Sequence, residues 1–155
     1  MADVFTKSKR SQVMAAIRST GNRDTELKLA AFFRKYRITN WRRNQPVFGK
    51  PDFVFRRKKL AVFVDGCFWH GCRWHYRPPK TKTAFWESKI SRNKKRALQV
   101  NRLLRINGWQ VVRIWEHDFR NETKLAARFL RLLFGEVQND TCRLRAQKVI
   151  SPKKA

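Results

Sequence analysis

Acidic residues are scarce in this chain. Its 155 residues include 11 Asp and Glu against 37 Lys and Arg, which leaves a formal net charge of +26. So strong a positive field attracts polyanions, and nucleic acid is the favoured partner because Lys and Arg neutralise its phosphates with release of counterions. An anionic membrane surface fits the composition less well.

Long apolar runs are also missing. No window approaches the roughly 20 apolar residues that span a bilayer, and the first residues lack the apolar run of a secretory signal. These features predict a cytoplasmic protein with no membrane partner. Cysteine is rare too, at three residues. An odd number of cysteines argues against a disulfide framework and favours metal binding.

The chain divides into a basic arm at residues 1–24, an α/β core at residues 25–135 and a basic tail at residues 136–155. The core is long enough to bury the interior of one compact domain. The arm surrounds "VMAAI" and forms either a short helix or a segment that orders on DNA. The tail shows no apolar periodicity.

The first core element is predicted to be an amphipathic helix with Asp24 or Thr25 as its N-cap. Its apolar residues recur at i, i+3, i+4 and i+7, namely Leu29, Phe32, Phe33 and Tyr36. Glu26 lies one turn before Leu29 on nearly the same stripe, so it points along the core-facing side. An acid there is a functional candidate, although the helix dipole also favours acids in a first turn.

Three short β-like runs follow: "ITNWRRN", "DFVFR" and "LAVFVDG". They predict a meander. A tight hairpin between the last two places Asp52 opposite Asp65, and a slip of one residue places it opposite Val64. Both registers bring a carboxylate to the end of the second strand.

A long helix of about residues 85–107 precedes the predicted strand "WQVVRIWEH", and a last helix covers about residues 122–134. A strand, a crossover helix and a second strand favour parallel neighbours with a right-handed crossover. Both strands then end at the same edge of the sheet. That edge carries "DGCFWH" after one strand and "EHD" after the other.

All three histidines of the chain fall at this edge. The candidate metal ligands are Cys67, Cys72, His75 and His117. Two thiolates and two imidazoles make a closed tetrahedral site, so we predict structural zinc. Half-buried thiols and DNA-facing histidines are the plainer alternative, and Cys142 is a lesser candidate for the fourth ligand.

The remaining histidine, His70, is available for chemistry. A loop histidine beside aspartates suits general acid–base catalysis or the binding of metal-bound water. Magnesium requires hard oxygen ligands, and Asp52 with a backbone carbonyl can hold it against a scissile phosphate. The alternative for Asp52 is a turn residue after "GKP".

The motifs "GKPDFVF", "VFVDGCFWHGC" and "GWQVVRIWEH", with "IRSTGNRDTE" near the start, resemble the very short patch mismatch repair endonucleases over residues 8–118. The resemblance implies a restriction-endonuclease-like α/β/α fold with a mixed central sheet. It implies a magnesium-dependent nick in one strand of duplex DNA beside a T:G mismatch arising from 5-methylcytosine deamination. We expect a monomer, with other mismatch repair proteins as further partners.

The resemblance also implies roles for single residues. Asp52 matches the family's metal-binding aspartate, His70 its active-site histidine and Glu26 its helix glutamate. The backbone carbonyl that helps to bind magnesium belongs to Val64, and Asp65 completes the predicted catalytic set. The family's zinc ligands fall on the four residues named above.

Aromatic wedges are implied as well. Phe68 and Trp69 match residues that enter the base stack beside the mismatch, and Met14 matches an apolar residue that enters from the opposite groove. Trp86 is counted with these DNA-contacting residues. Core packing is the alternative role for Phe68 and Trp69.

One position departs from the family pattern. Ala97 stands where some members carry an aspartate, and no acid occurs between Ser88 and Trp115. The site is therefore expected to hold a second magnesium less tightly, or to use Asp65 or solvent. A noncatalytic, zinc-stabilised DNA-binding protein is the leading alternative function. A ribosomal type of RNA-binding protein fits the charge but does not account for the candidate catalytic residues.

Overall fold

The computed structural model describes residues 23–135, together with the isolated positions 8 and 12. Nearly all of the predicted arm and the whole predicted tail lie outside these residues. The predicted wedge residue Met14 and the alternative zinc ligand Cys142 lie outside them too. Within the described part of the chain, no helix is both long enough and apolar enough to cross a membrane.

A mixed three-stranded sheet forms the centre of the molecule. Its strands are β1 (Phe53–Phe55), β2 (Leu60–Asp65) and β3 (Gln110–Trp115), in the order β1-β2-β3. β1 is antiparallel to β2, and β2 is parallel to β3. The predicted parallel pair is therefore confirmed. Asp65 lies beside Trp115, so both strands end at the same edge.

Both predicted hairpin registers are wrong. Phe53 pairs with Val62, and Phe55 pairs with Leu60. The predicted tight turn is replaced by a four-residue connection, in which a 3₁₀ turn at Arg56–Lys58 is followed by Lys59 in the left-handed region, with a φ of 45°. The longer connection shifts the pairing by two residues from the tight hairpin. The predicted strand "ITNWRRN" is reduced to one isolated bridge between Arg42 and Val54.

Within residues 23–135, three α-helices cover this sheet: α1 (Lys28–Lys35), α2 (Thr83–Ile106) and α3 (Glu122–Phe134). A π-helical turn at Arg23–Leu27 leads into α1, so the helical backbone already includes the predicted N-cap positions, and that prediction is wrong. At α3 the Asn121 side chain caps the helix by accepting a hydrogen bond from the Lys124 amide.

The side chains of β2 alternate between two apolar layers. Leu60 and Val62 face α1 and α3, whereas Ala61 and Phe63 face α2. The larger layer contains Leu29, Phe32, Phe33, Phe53, Phe55, Val112, Ile114, Leu125 and Phe129. The helices therefore pack on both faces of the sheet, in an α/β/α arrangement. The stripe predicted on α1, including Tyr36, is buried as expected.

Candidate active site and metal centre

A cavity of about 300 Å³ lies between the sheet and α2, near the carboxyl end of β2. Its lining includes three of the four predicted catalytic side chains, those of Asp52, Asp65 and His70. Val64 and Ala97 also line it, together with the basic residues Lys50, Arg96 and Arg113. The structure thus gathers carboxylates, an imidazole and cations in one polar space.

Asp52 is tied to the backbone of β2. Its Oδ2 accepts a hydrogen bond from the Val64 amide at 2.7 Å. Burial, with smaller contributions from the charges of Glu26 and Asp65, raises the pKa of Asp52 to about 6, against the opposing effects of the Val64 hydrogen bond and the Arg113 charge. The amide and carbonyl of an extended residue point to the same side of the strand. The Val64 carbonyl therefore faces the same side as Asp52.

Asp65 is nearly inaccessible, with 3% of its surface exposed. Arg113 of β3 donates two hydrogen bonds to it, from Nε to Oδ2 at 2.5 Å and from Nη2 to Oδ1 at 2.7 Å. His70 Nε2 lies 3.5 Å from Oδ1. Sequence reasoning missed Arg113, although a lone cation inside the apolar run "VVRIW" was a usable signal.

Glu26 does not line the cavity and is buried in the protein interior. Only 5% of its surface is exposed, which confirms that it points to the core-facing side. Arg43 Nη2 donates a hydrogen bond to Glu26 Oε2 at 2.5 Å, and the guanidinium lies 5.7 Å from the Phe53 ring centroid. Arg43 was also missed, because its partner is distant in sequence.

The four predicted zinc ligands form one cluster. Their ligand atoms all lie within 4.8 Å of one another. His117 Nδ1 lies 3.2 Å from Cys67 Sγ and 3.7 Å from Cys72 Sγ, and His75 Nδ1 lies 3.6 Å from Cys72 Sγ. Zinc–sulfur and zinc–nitrogen bond lengths place such atoms about 3.6 Å apart around a tetrahedral ion. The donor set therefore fits zinc.

Charge and neighbouring groups also favour a cation at this cluster. Burial, with a smaller contribution from the neighbouring Cys72, raises the pKa of Cys67 to about 11, so the Cys67 thiol needs a nearby positive charge to ionise. His117 Nε2 lies 3.7 Å from Asp118 Oδ1, where a carboxylate can orient a ligating imidazole. Asp118 is fixed by the Trp115 amide, which donates to its Oδ2 at 2.9 Å.

Half-buried aromatic side chains lie in and beside the loop between Cys67 and Cys72, the two candidate metal-binding cysteines. Phe68 lies 5.2 Å from Trp69 and 5.1 Å from Trp86, measured between ring centroids. The Lys89 ammonium lies 5.2 Å from the Trp69 ring centroid. Asn93 of α2 donates a hydrogen bond to the Trp69 carbonyl at 2.9 Å. The three predicted wedge aromatics of the described chain thus form one cluster beside the cavity.

Comparison with known proteins finds mismatch endonucleases and nicking enzymes. Residues 2–76 match the family described as DNA mismatch endonuclease Vsr. A type II nicking enzyme of Neisseria meningitidis serogroup C is 37% identical over 131 residues, which cover 83% of this chain and 88% of that protein. The DNA mismatch endonuclease Vsr of Escherichia coli K12 is 35% identical over 128 residues, covering 81% of this chain and 80% of that protein. The chain therefore belongs to the Vsr family of very short patch repair endonucleases.

Proposed function

We propose that this protein is a magnesium-dependent endonuclease that nicks one strand of duplex DNA beside a T:G mismatch produced by 5-methylcytosine deamination. The observation that carries this proposal is the cavity where Asp52, Val64 and His70 meet, next to the aromatic cluster. Family membership supports the general activity, DNA nicking, and a restriction-endonuclease-like fold. We keep the expectation of a cytoplasmic monomer that works with other mismatch repair proteins.

Asp52 and the Val64 carbonyl would hold the magnesium ion. Both offer hard oxygen donors, and within the described chain Asp52 accepts one hydrogen bond, through Oδ2. Bound there, the ion would supply Lewis-acid stabilisation of charge on the scissile phosphate. The raised pKa of Asp52 indicates that its ionised carboxylate is poorly solvated. A bound cation would therefore stabilise that negative charge.

His70 is the group that would accept a proton from the attacking water. Burial lowers its pKa, so the imidazole is neutral near pH 7 and can act as a base. The water oxygen forms a bond to phosphorus as the bond to the leaving sugar oxygen breaks, and solvent protonates that oxygen. Lys50 and Arg96 bring positive charge to the phosphate from the cavity wall.

Zinc at Cys67, Cys72, His75 and His117 would fix the loop that carries Phe68, Trp69 and His70. We propose that Phe68, Trp69 and Trp86 enter the base stack, with Met14 entering from the opposite groove. Unstacking costs a few kcal/mol and is easier at a mismatch, so the wedge also selects the target. The contacts among the aromatic rings support a single wedge.

A noncatalytic, zinc-stabilised DNA-binding protein is the second candidate. Ala97 favours it, because a methyl group lines the cavity where some family members have a carboxylate. Such a protein would bind duplex DNA and leave it intact with every divalent metal tested.

A nicking assay separates the two candidates. It uses end-labelled duplexes that differ in one T:G or C:G pair, zinc-loaded protein and buffers with or without magnesium. We expect a nick in the T-containing strand that requires magnesium and is absent for C:G and for Asp52→Ala. Glu122→Gln is the control, since it removes a partly exposed carboxylate on α3 that pairs with Lys35 and does not line the cavity. Binding without any nick by the wild type would overturn the proposal.

A further inference from the structure

We propose that Arg113 and Asp65 form a fixed ion pair that positions His70, and that Asp65 is a positioning residue instead of a magnesium ligand. The inference rests on the proposed function, because it concerns how the same cavity is organised. It revises the expectation that Asp65 could compensate for Ala97 by binding metal.

The two aspartates of the cavity have different surroundings. Both Asp65 oxygens accept hydrogen bonds from the Arg113 fork, so the carboxylate charge is already balanced. A metal at Asp65 would have to displace the guanidinium from a pair whose side chains are 20% exposed for Arg113 and 4% for Asp65. Among the described residues, Asp52 instead accepts one hydrogen bond, from a neutral backbone amide, and makes no direct ion pair. The metal is therefore expected to bind at Asp52.

Arg113 is itself held from three directions. Its partner across the parallel ladder is Phe63, two residues before Asp65, so Arg113 and Asp65 share one face of the sheet. Nη1 donates a hydrogen bond to Asn101 Oδ1 of α2 at 3.1 Å. The guanidinium lies 4.6 Å from the Phe63 ring centroid, a favourable cation–π distance. The Arg113 guanidinium therefore has little freedom to rotate away from Asp65.

The pair extends to His70 through a single oxygen. Asp65 Oδ1 accepts from Arg113 Nη2 and lies 3.5 Å from His70 Nε2, at the outer limit of a hydrogen bond. Such contacts commonly shorten when substrate binds. An acceptor at Nε2 favours the tautomer with its proton there, which leaves Nδ1 free to take a proton from water. Arg113 thus acts on the reaction through Asp65 and His70.

Metal binding and imidazole tautomer can both be measured without turnover. Mn²⁺ affinity is determined for the wild type, Asp65→Asn, Asp52→Asn and Arg105→Met, the last removing an exposed arginine of α2 as a charge control. ¹⁵N spectra of the His70 ring, assigned with His70→Gln, report the tautomer. We expect Asp65→Asn to lose far less Mn²⁺ affinity than Asp52→Asn, which loses Mn²⁺ binding, and to lose the Nε2–H tautomer.

Single-turnover nicking at saturating protein gives the functional readout. We expect Asp65→Asn and Arg113→Met to slow the rate on the order of 10- to 100-fold, with DNA affinity no weaker than that of Arg105→Met. Arg113→Lys is expected to recover part of the rate because it restores the charge. The uncharged pair Asp65→Asn with Arg113→Gln avoids an unpaired buried charge if a single variant fails to fold.

The outcomes are distinguishable. Loss of Mn²⁺ affinity in Asp65→Asn as large as that in Asp52→Asn would make Asp65 a metal ligand and overturn the proposal. An unchanged tautomer and rate would reduce the pair to a structural link between β2 and β3. A wild type that never nicks contradicts the proposed function alone, because the tautomer and Mn²⁺ measurements do not require activity.

Discussion

The Glu26 carboxylate accepts a hydrogen bond from the Arg43 guanidinium at 2.5 Å, and this contact joins the turn before α1 to the segment that leads to β1. The side chains of Glu26 and Arg43 are 7% and 25% exposed, respectively. A charge as buried as that of Glu26 needs a partner, and Arg43 supplies it. Glu26 therefore has a structural task in addition to any effect on the charge of Asp52.

Glu26→Gln should lower the free energy of unfolding by about 3 kcal/mol, because it leaves Arg43 facing a neutral group in the interior. Urea denaturation at pH 7.5 measures the change. The double variant with Arg43→Met should lose less than the sum of the two single variants. Strict additivity would show that the two residues do not interact.

Asp52→Asn should stabilise the metal-free fold while removing activity. The folded protein holds the Asp52 proton up to a pKa of about 6, against 3.8 for the ordinary group, so wild-type stability falls as pH rises between these values. The variant has no such loss, and its advantage should approach about 3 kcal/mol at pH 7.5 and about half that near pH 5. Urea denaturation of zinc-loaded, magnesium-free protein tests this. An advantage that does not depend on pH would contradict it.

The nicking rate should fall as pH is lowered through about 6, because protonated Asp52 is a poor magnesium ligand. Higher magnesium concentrations should move the midpoint of this fall to lower pH, since the cation stabilises the ionised carboxylate. Single-turnover rates at two magnesium concentrations provide the measurement. If the midpoint pH is the same at both magnesium concentrations, a group other than Asp52 controls the pH dependence of the nicking rate.

Cys72→Ser should abolish zinc binding, whereas Cys142→Ser should keep one zinc per chain. Cys72 is 2% exposed and contributes to the ligand cluster, so its loss removes one of four donors. Elemental analysis of the purified proteins gives the stoichiometry, and thermal unfolding gives the effect on stability. Zinc loss in Cys142→Ser would assign the fourth ligand to the tail.

Ala97→Asp should lower the magnesium concentration needed for half-maximal nicking several-fold, because it adds a carboxylate to the cavity that contains Asp52. Leu98→Asp places the same charge on the neighbouring, exposed position and serves as the control. Magnesium titrations of the nicking rate give the half-maximal concentration for both variants and for the wild type. Equal shifts in both would reflect overall charge and not a ligand in the cavity.

Local periodicity predicted the helices and the parallel strand pair well. The stripe from Leu29 to Tyr36 and the order of β2, α2 and β3 are properties of adjacent sequence, and they left few alternatives. The hairpin register was missed because it depends on the backbone at Lys59, where an unremarkable residue adopts a positive φ. Likewise, the partners of Glu26 and Asp65 come from distant segments, which no local pattern identifies.

A metal ion held by Cys67, Cys72, His75 and His117 would also determine which parts of the molecule open together. Cys67 and His117 are 50 residues apart, and the chain between them contains all of α2. A metal that bridges them closes this whole segment into a ring, whereas α1 and α3 share an apolar layer on the other face of the sheet. Because β3 lies in this segment but packs against α1 and α3, hydrogen exchange should show the loop after β2 and α2 as one cooperative unit, separate from β3. Metal release would free the unit that carries both the aromatic cluster and one wall of the cavity, so target recognition and cleavage would be lost in a single step.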